Sequence, residues 1–510
     1  MELSITDIAC FLGFFGVVVG VSLFKSRREK NSEDYFLASR GLSWPLIGLS
    51  IVAANMSTEQ FVGMAGQGAD TVGLAVSTWQ LTGSLGIVII AFTLLPRFLR
   101  AGIYTMPEYL EYRYNAGARA IMAVYTIAIY ATVTTAVVLY SGALALQTIF
   151  GMDLTYGVWL IGAIAALYTT WGGLKAVAWA DLFQGSALII GGFITLVLGF
   201  AAVGGVNAFL EASSDKLHMF RPSYDKALPW HGVASGMWIP IVYYCGLNQF
   251  IVQRTLAAKN LKHGQFGIIF AAALWLIIPF AIVLPGIMAN TLYAGQLDKP
   301  DQAYPMLIRN LIPAGIRGFM FAAIAGAIIS SLASMLNSAS TIFTMDLYKR
   351  HIKKDASQSS LILLGRVTTL SCALIGCVIA PFLAHPRFGG VFTFIQEYQG
   401  YISPGIVATF LFGFVVKRAP GAAGVTALLI NVPIYGLLRW KASDTHYLIC
   451  MMITFLSVVS VMGVITLIRP LPAPRVIPVK EDLDMRSSPG AKLAGAMVVV
   501  AVVVLFVVFR

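Results

Sequence analysis

The chain is 510 residues long, 58% hydrophobic and only 11% charged, with a mean hydropathy of +0.80, whereas an average soluble domain carries about 25% charged residues. That composition excludes a soluble multi-domain enzyme, which would need polar surfaces between its cores. The formal net charge of +12 does not signal a nucleic-acid partner, because the basic residues stand in short clusters between apolar runs, as membrane topology requires.

Apolar stretches of about 20 residues, enough to cross ~30 Å of hydrocarbon, start at the N-terminus. They cover roughly 5–24, 44–66, 73–96, 120–149, 153–171, 181–204 and 233–252. A second series covers roughly 265–292, 317–345, 361–384, 391–416, 420–438, 446–468 and 493–509, so the pattern predicts an all-α polytopic membrane protein with about fourteen transmembrane helices. The first stretch opens on the acidic MELSITD and is followed by the basic KSRREK. A cleavable secretory signal has the reverse order, which makes a retained helix the expectation. With the N-terminus outside, 25 of the 35 Lys and Arg fall in cytoplasmic loops, and this bias places both termini outside. The five cysteines lie in apolar stretches and the six histidines in loops or at segment ends, so no disulfide framework, zinc spacing or haem site is visible.

The second stretch carries Asn55, Ser57, Thr58, Glu59 and Gln60 within six residues, at mid-membrane. Irregular backbone survives in hydrocarbon only where it lines a cavity or is buried in protein. A continuous helix with its Ser and Asn bonded to neighbours is the alternative, but five clustered polar residues favour an unwound segment. In the ninth stretch, Ser330, Ser331, Ser334, Asn337, Ser338, Ser340 and Thr341 crowd one helix. Small residues there can simply let helices pack closely. Ser330 and Ser331 project about 100° apart, however, and paired hydroxyls with freed carbonyls suit a hard monovalent cation.

Five segments, ANMSTEQFVGMAG, WGGLKAVAWADLFQG, LNQFIVQRTLAAKN, SSLASMLNSASTIFTMDLYK and FIQEYQGYISPGI, occur in that order. Together they resemble the sodium/solute symporter family, and within it the bacterial sodium/glucose cotransporter branch. The resemblance implies a LeuT-type core of two inverted five-helix repeats with one helix before and three after: 1–43, 44–204, 205–416 and 417–510. It implies that the first helix of each repeat is broken. It also implies a sodium site from the carbonyls of Ala53, Met56 and Ala327 and the hydroxyls of Ser330 and Ser331. Asp181 matches an acidic residue tied to ion coupling or a cytoplasmic exit step; an interfacial Asp paired with Lys175 is the alternative.

For the solute, Gln60, Tyr244, Asn248 and Gln396 match positions that hydrogen-bond a sugar or stabilise its occluded state, with Tyr244 as inner gate and Met64, Trp79 and Phe392 as outer gate. Three positions depart from the sugar-binding pattern: Gln80 stands where a Glu is found, Ile241 where an Asn is, and Trp275 where a Lys is. A missing partner costs ~1–3 kcal/mol, so a galactose-like specificity is not inherited. Gln80 and Trp275 remain substrate-binding candidates, Trp275 through an aromatic face or as plain packing. Glu59 and Glu397 are expected to brace the pocket without touching sugar. The function implied is sodium-coupled uptake of a sugar or related polyol across the bacterial plasma membrane, with Na+ as co-transported ion, no organic cofactor and no enzymatic chemistry. The competing readings are a sodium-coupled symporter of a non-sugar solute, and a solute sensor.

Overall fold

The computed structural model describes residues 4–26, 40–171, 174–385, 390–480 and 484–510. The basic residues Arg27, Arg28 and Lys30, and Gly172 and Gly173 of the WGG motif, lie outside the described residues. The architecture is all-helical. We name the helices used below α1 (Ile5–Ser26), α2 (Trp44–Asn55), α3 (Thr78–Ala101), α4 (Leu174–Val203), α5 (Gln249–Leu256), α6 (Leu261–Trp275), α7 (Ile316–Ile342), α8 (Val391–Gln399) and α9 (Ser403–Val415). Ten helices among the described residues are long and apolar enough to cross a membrane, and four shorter apolar helices, Trp44–Asn55, Leu154–Thr170, Trp238–Leu247 and Ser403–Val415, fall on the other four predicted spans.

Three of those four short helices are short because a crossing is interrupted. In the first, Pro45 pre-sets the start of α2, where a missing amide costs nothing. The helix stops at Met56, whose ψ of 63° leaves the helical region. Ser57 N–H then bonds the carbonyl of Asn55 (2.9 Å) and Gln60 N–H that of Ser57 (3.0 Å). The carbonyls of Ala53 and Met56 are thereby released from the amides four residues on, which a continuous helix would give them. A π-helical run, Glu59–Met64, resumes the crossing. The second interruption lies at Asn248, extended at φ −79° and ψ 122° between a π-turn (Tyr243–Leu247) and α5. Both breaks fall in the spans that the resemblance expects to be broken.

The third interruption, at Gly400–Ile402 between α8 and α9, was not foreseen; the span 391–416 was expected to be one helix. Pro404 opens α9, and Asn431 supplies the missing partners, accepting from Gly405 N–H (2.8 Å) and donating to the Tyr401 carbonyl. That support comes from a later helix, so no local pattern announces it.

At the centre stands α7, buried over nearly its whole length and packed on α1 and α4. One carboxylate fastens α1 to it. Asp7 accepts from the amides of Gly315 (2.9 Å) and Gly318 (3.1 Å) and pairs with Arg317 at 2.6 Å. Gly318 is required there, because a Cβ would fall 2.1 Å from the Asp7 carbonyl oxygen. Removing one partner of a buried pair leaves the other uncompensated, so Asp7→Ala is expected to cost about 2–3 kcal/mol and Asp7→Asn less, read from unfolding titrations in mixed detergent micelles.

Candidate functional site

The two broken helices meet around a cavity of about 50 Å³, taken as the space open to the centre of a water-sized sphere. Asn55, Glu59 and Gln60 come from the first break, Ile241, Tyr244 and Cys245 from the second, Trp79, Gln80 and Gly83 from α3, Trp275 from the end of α6, and Phe392, Ile395, Gln396 and Gln399 from α8. Thus Gln60, Gln80, Tyr244, Trp275 and Gln396 of the predicted solute set share one wall system, with Trp79 and Phe392 of the outer gate. The gate rings meet edge to face, centroids 6.0 Å apart.

The polar groups are partly committed to one another. Gln80 donates from Nε2 to Gln60 Oε1 (3.2 Å), and Asn55 from Nδ2 to the Tyr244 hydroxyl (3.0 Å). Four buried atoms on the cavity wall have no partner: Trp275 Nε1, Gln80 Oε1, Asn55 Oδ1 and Gln399 Oε1. That is one donor and three acceptors, and a buried polar atom left unpaired is costly unless a ligand meets it. Gly83 admits the Trp275 ring, since a Cβ there would fall 2.8 Å from it.

Several expectations need correction. Asn248 does not line the cavity; its side-chain oxygen accepts from the Tyr130 hydroxyl, which itself accepts from Phe250 N–H (3.2 Å). It therefore holds the break in shape. Met64 is fully buried away from the cavity wall. Glu59 lines the cavity, accepting from Ser57 Oγ at 2.5 Å, while Glu397 stands off it in an ion pair with Arg439 at 2.7 Å. Asn55, read from the sequence only as part of the polar break, and Gln399, not singled out there, join the wall; Gln399, three residues beyond Gln396, shares its helix face.

On the α2 side of the first break, Ala53, Met56, Ala327, Ser330 and Ser331 are all buried. Ser331 Oγ donates to the Ala54 carbonyl (3.4 Å), linking α7 to the end of α2, and Ser330 Oγ donates to Asp181 Oδ1. A hydroxyl that donates to a carboxylate keeps its lone pairs and gains basicity as an ion ligand. Asp181 pairs with Arg254 at 3.1 Å, not with Lys175. Arg254, one of the 25 cations that the orientation count places in cytoplasmic loops, lies instead on α5, 1% exposed, and donates also to Ser50 Oγ (2.6 Å), Ser334 Oγ (2.6 Å) and the Phe250 carbonyl.

The sodium:solute symporter family matches residues 35–430. The chain is 38% identical to the sodium/glucose cotransporter of Vibrio parahaemolyticus, covering 89% of each sequence. The chain belongs to the sodium:solute symporter family. This symporter is also 35% identical to the sodium/myo-inositol cotransporter 2 of Mus musculus, over 85% of its own length and 69% of that protein's. Its fold matches the substrate-bound outward-open structure of a sodium-coupled sialic acid symporter at a TM-score of 0.83 and 22% identity, over 93% of this chain and 100% of that one. It is a multi-pass membrane protein and a sodium-coupled transporter of a small solute, not an enzyme.

Outside the membrane spans, Asp301 fastens the segment before Ala303–Leu311 to the start of α8. Its Oδ2 accepts from Val391 N–H (3.1 Å), the first amide of α8. Burial pushes its carboxyl up to about 6, and the Val391 amide and Lys299 oppose that rise. A carboxyl raised in the fold contributes stability that is fully present below its unfolded value of 3.8 and lost as pH rises through about 6. Asp301→Asn is therefore expected to raise the melting temperature relative to the wild type more at pH 7 than at pH 4.5 in thermal scans; the wild type's own profile also carries His446, whose imidazole is held down at about 4 by burial and whose contribution is lost as pH falls. Arg254→Gln leaves Asp181 buried and unpaired, an expected loss of about 3–5 kcal/mol. The double variant with Asp181→Asn should recover more than half of it in the same unfolding assay.

Proposed function

We propose that this symporter takes up a sugar or cyclic polyol together with sodium, by alternating access around the cavity between the two broken helices. The reading takes 44–204 and 205–416 as the inverted repeats. The observation that carries it is the unpaired set on the cavity wall, Trp275 Nε1 with Gln80 Oε1, Asn55 Oδ1 and Gln399 Oε1. Hydroxyls, which both donate and accept, satisfy such a mixed set. Neither Lys nor Arg lines the cavity, which favours a neutral solute over a carboxylate. Trp79, Trp275 and Phe392 offer apolar faces to a ring's C–H surface. The names of the glucose and myo-inositol relatives point to the same class.

Sodium is assigned to the carbonyls of Ala53, Met56 and Ala327 and the hydroxyls of Ser330 and Ser331. The two carbonyls released at the first break support this, as does the burial of all five residues. Coupling follows from sharing: one segment of six residues carries Met56 for the ion and Asn55 and Gln60 for the solute. An ion entering down ~100 mV and a tenfold gradient releases about 3.7 kcal/mol, enough to hold a neutral solute at about 500-fold excess. The basic loops support insertion in the bacterial plasma membrane with both termini outside.

Uptake into proteoliposomes tests the reading, using labelled hexoses, pentoses and inositols with and without an inward sodium gradient. Accumulation of at least one of them only with the gradient is expected; exclusion of every one, with sodium still stabilising the protein against heat, would overturn the solute class. Ser330→Ala and Ser331→Ala should each raise the sodium concentration for half-maximal uptake at least tenfold at unchanged protein abundance, the loss of about 1.4 kcal/mol of ligation. Gln396→Ala should weaken solute affinity by about 1 kcal/mol, measured by binding of whichever solute is accumulated.

A further inference from the structure

On the face of α7 turned away from the ion residues lies a cleft of about 520 Å³ on the same water-sphere measure, floored by Ile324, Ala325, Ile328 and Ile329 of that helix. Its other walls come from α1 and the helices Thr135–Phe150 and Leu154–Trp171. Of its 18 lining residues only Asp7 carries a polar side chain, and that carboxylate is consumed by Ser4, Arg317 and two amides. Water has nothing to bond there, and an empty cleft would forfeit dispersion contacts along its whole wall. The mouth lies between Ile8 and Leu12 on one side and Leu160 and Ile164 on the other, each 41–62% exposed. It opens between exposed apolar side chains.

Charges of both signs stand near the end of the cleft at Asp7 and Phe150, where the exposed Asp153 accepts from Tyr156 N–H (3.1 Å). Arg317 is offset by Asp7. Arg309 is exposed, and its Nη1 reaches the Thr148 carbonyl (3.2 Å), one residue from Ile149 on the cleft wall. Its remaining N–H groups suit a phosphate. We propose that the cleft is a lipid site, holding one acyl chain of an anionic phospholipid whose phosphate lies on Arg309. Because α7 carries Ile328 and Ile329 toward the cleft and Ala327, Ser330 and Ser331 away from it, the bound chain steadies the helix that holds the ion residues. That last consequence rests on the sodium assignment above; retention of the lipid does not.

The test is native mass spectrometry of the full chain, equilibrated in mild detergent with equal amounts of dioleoyl-phosphatidylglycerol and dioleoyl-phosphatidylcholine. One phosphatidylglycerol retained per chain is expected, preferred about fivefold, which is what one Arg at a lipid headgroup supplies. Arg309→Gln should bring the preference to about one without abolishing retention. Ala325→Trp on the floor and Ile164→Trp at the exposed mouth should each expel the lipid; if the floor variant fails to fold, the mouth variant carries the test. No retained lipid, equal retention of the two lipids by the wild type, undiminished retention in the filled variants, or a lipid-free dimer would each overturn the proposal. Sodium-dependent thermal stabilisation in nanodiscs of each lipid is a separate readout: retention without any sodium effect in either lipid keeps the lipid site and defeats the ion assignment.

Discussion

The buried pair of Asp181 and Arg254 is the interaction on which the arrangement of the site depends. Taking two full charges out of water costs several kcal/mol per ion, recovered only when geometry is good and the remaining donors are satisfied. Here the guanidinium also serves Ser50, Ser334 and the Phe250 carbonyl, and the carboxylate also takes the hydroxyls of Ser50 and Ser330. These groups belong to α2, α4, α5 and α7, so one network ties both broken helices to the two long helices that flank them. The pair cannot be satisfied unless all four are in register.

That network sits directly beneath the first break, where the reading proposed above brings ion and solute chemistry together. Unwinding at Met56–Thr58 costs backbone hydrogen bonds that hydrocarbon cannot replace. The site makes use of what is lost: carbonyls of Ala53 and Met56 become available, and Ser57 turns to Glu59. On the reading proposed above, an ion that draws those carbonyls together also sets the orientation of Asn55 and Gln60 a few ångströms away. Binding of either partner then favours the conformation the other needs, by the same factor in both directions.

How much of this was legible in the sequence follows from the range of each interaction. Helical spans are local properties, and the runs that α1, α3, α4 and α7 occupy are readable from apolar length alone. The first break was readable as well, because five polar residues fall in six positions. Arg254 was misread for the opposite reason: a lone cation after an apolar run looks like a loop residue, and its partner Asp181 lies 73 positions earlier. Asn248 and Tyr130 are 118 apart, and the interruption at Gly400–Ile402 is supported by Asn431 on a later helix. Nothing periodic connects such pairs. Resemblance supplied the solute residues, but it carried Asn248 and Met64 onto the cavity, where the packing of this chain does not put them.

The electrostatics of the two sites then fit a transported ion better than a resident one. A cation held by free carboxylates in a low-dielectric interior would be bound too tightly to leave within a cycle driven by about 3.7 kcal/mol. The ligands assigned to sodium are carbonyls and hydroxyls, and the Asp181 carboxylate reaches them through Ser330, its charge already opposed by Arg254. Dipoles strong enough to replace part of a hydration shell, with no unopposed counter-charge in contact, allow entry and release alike. The ion's own charge is then what the membrane potential acts on, so the ion moves as a net positive charge and the gradient's electrical component is available to the solute.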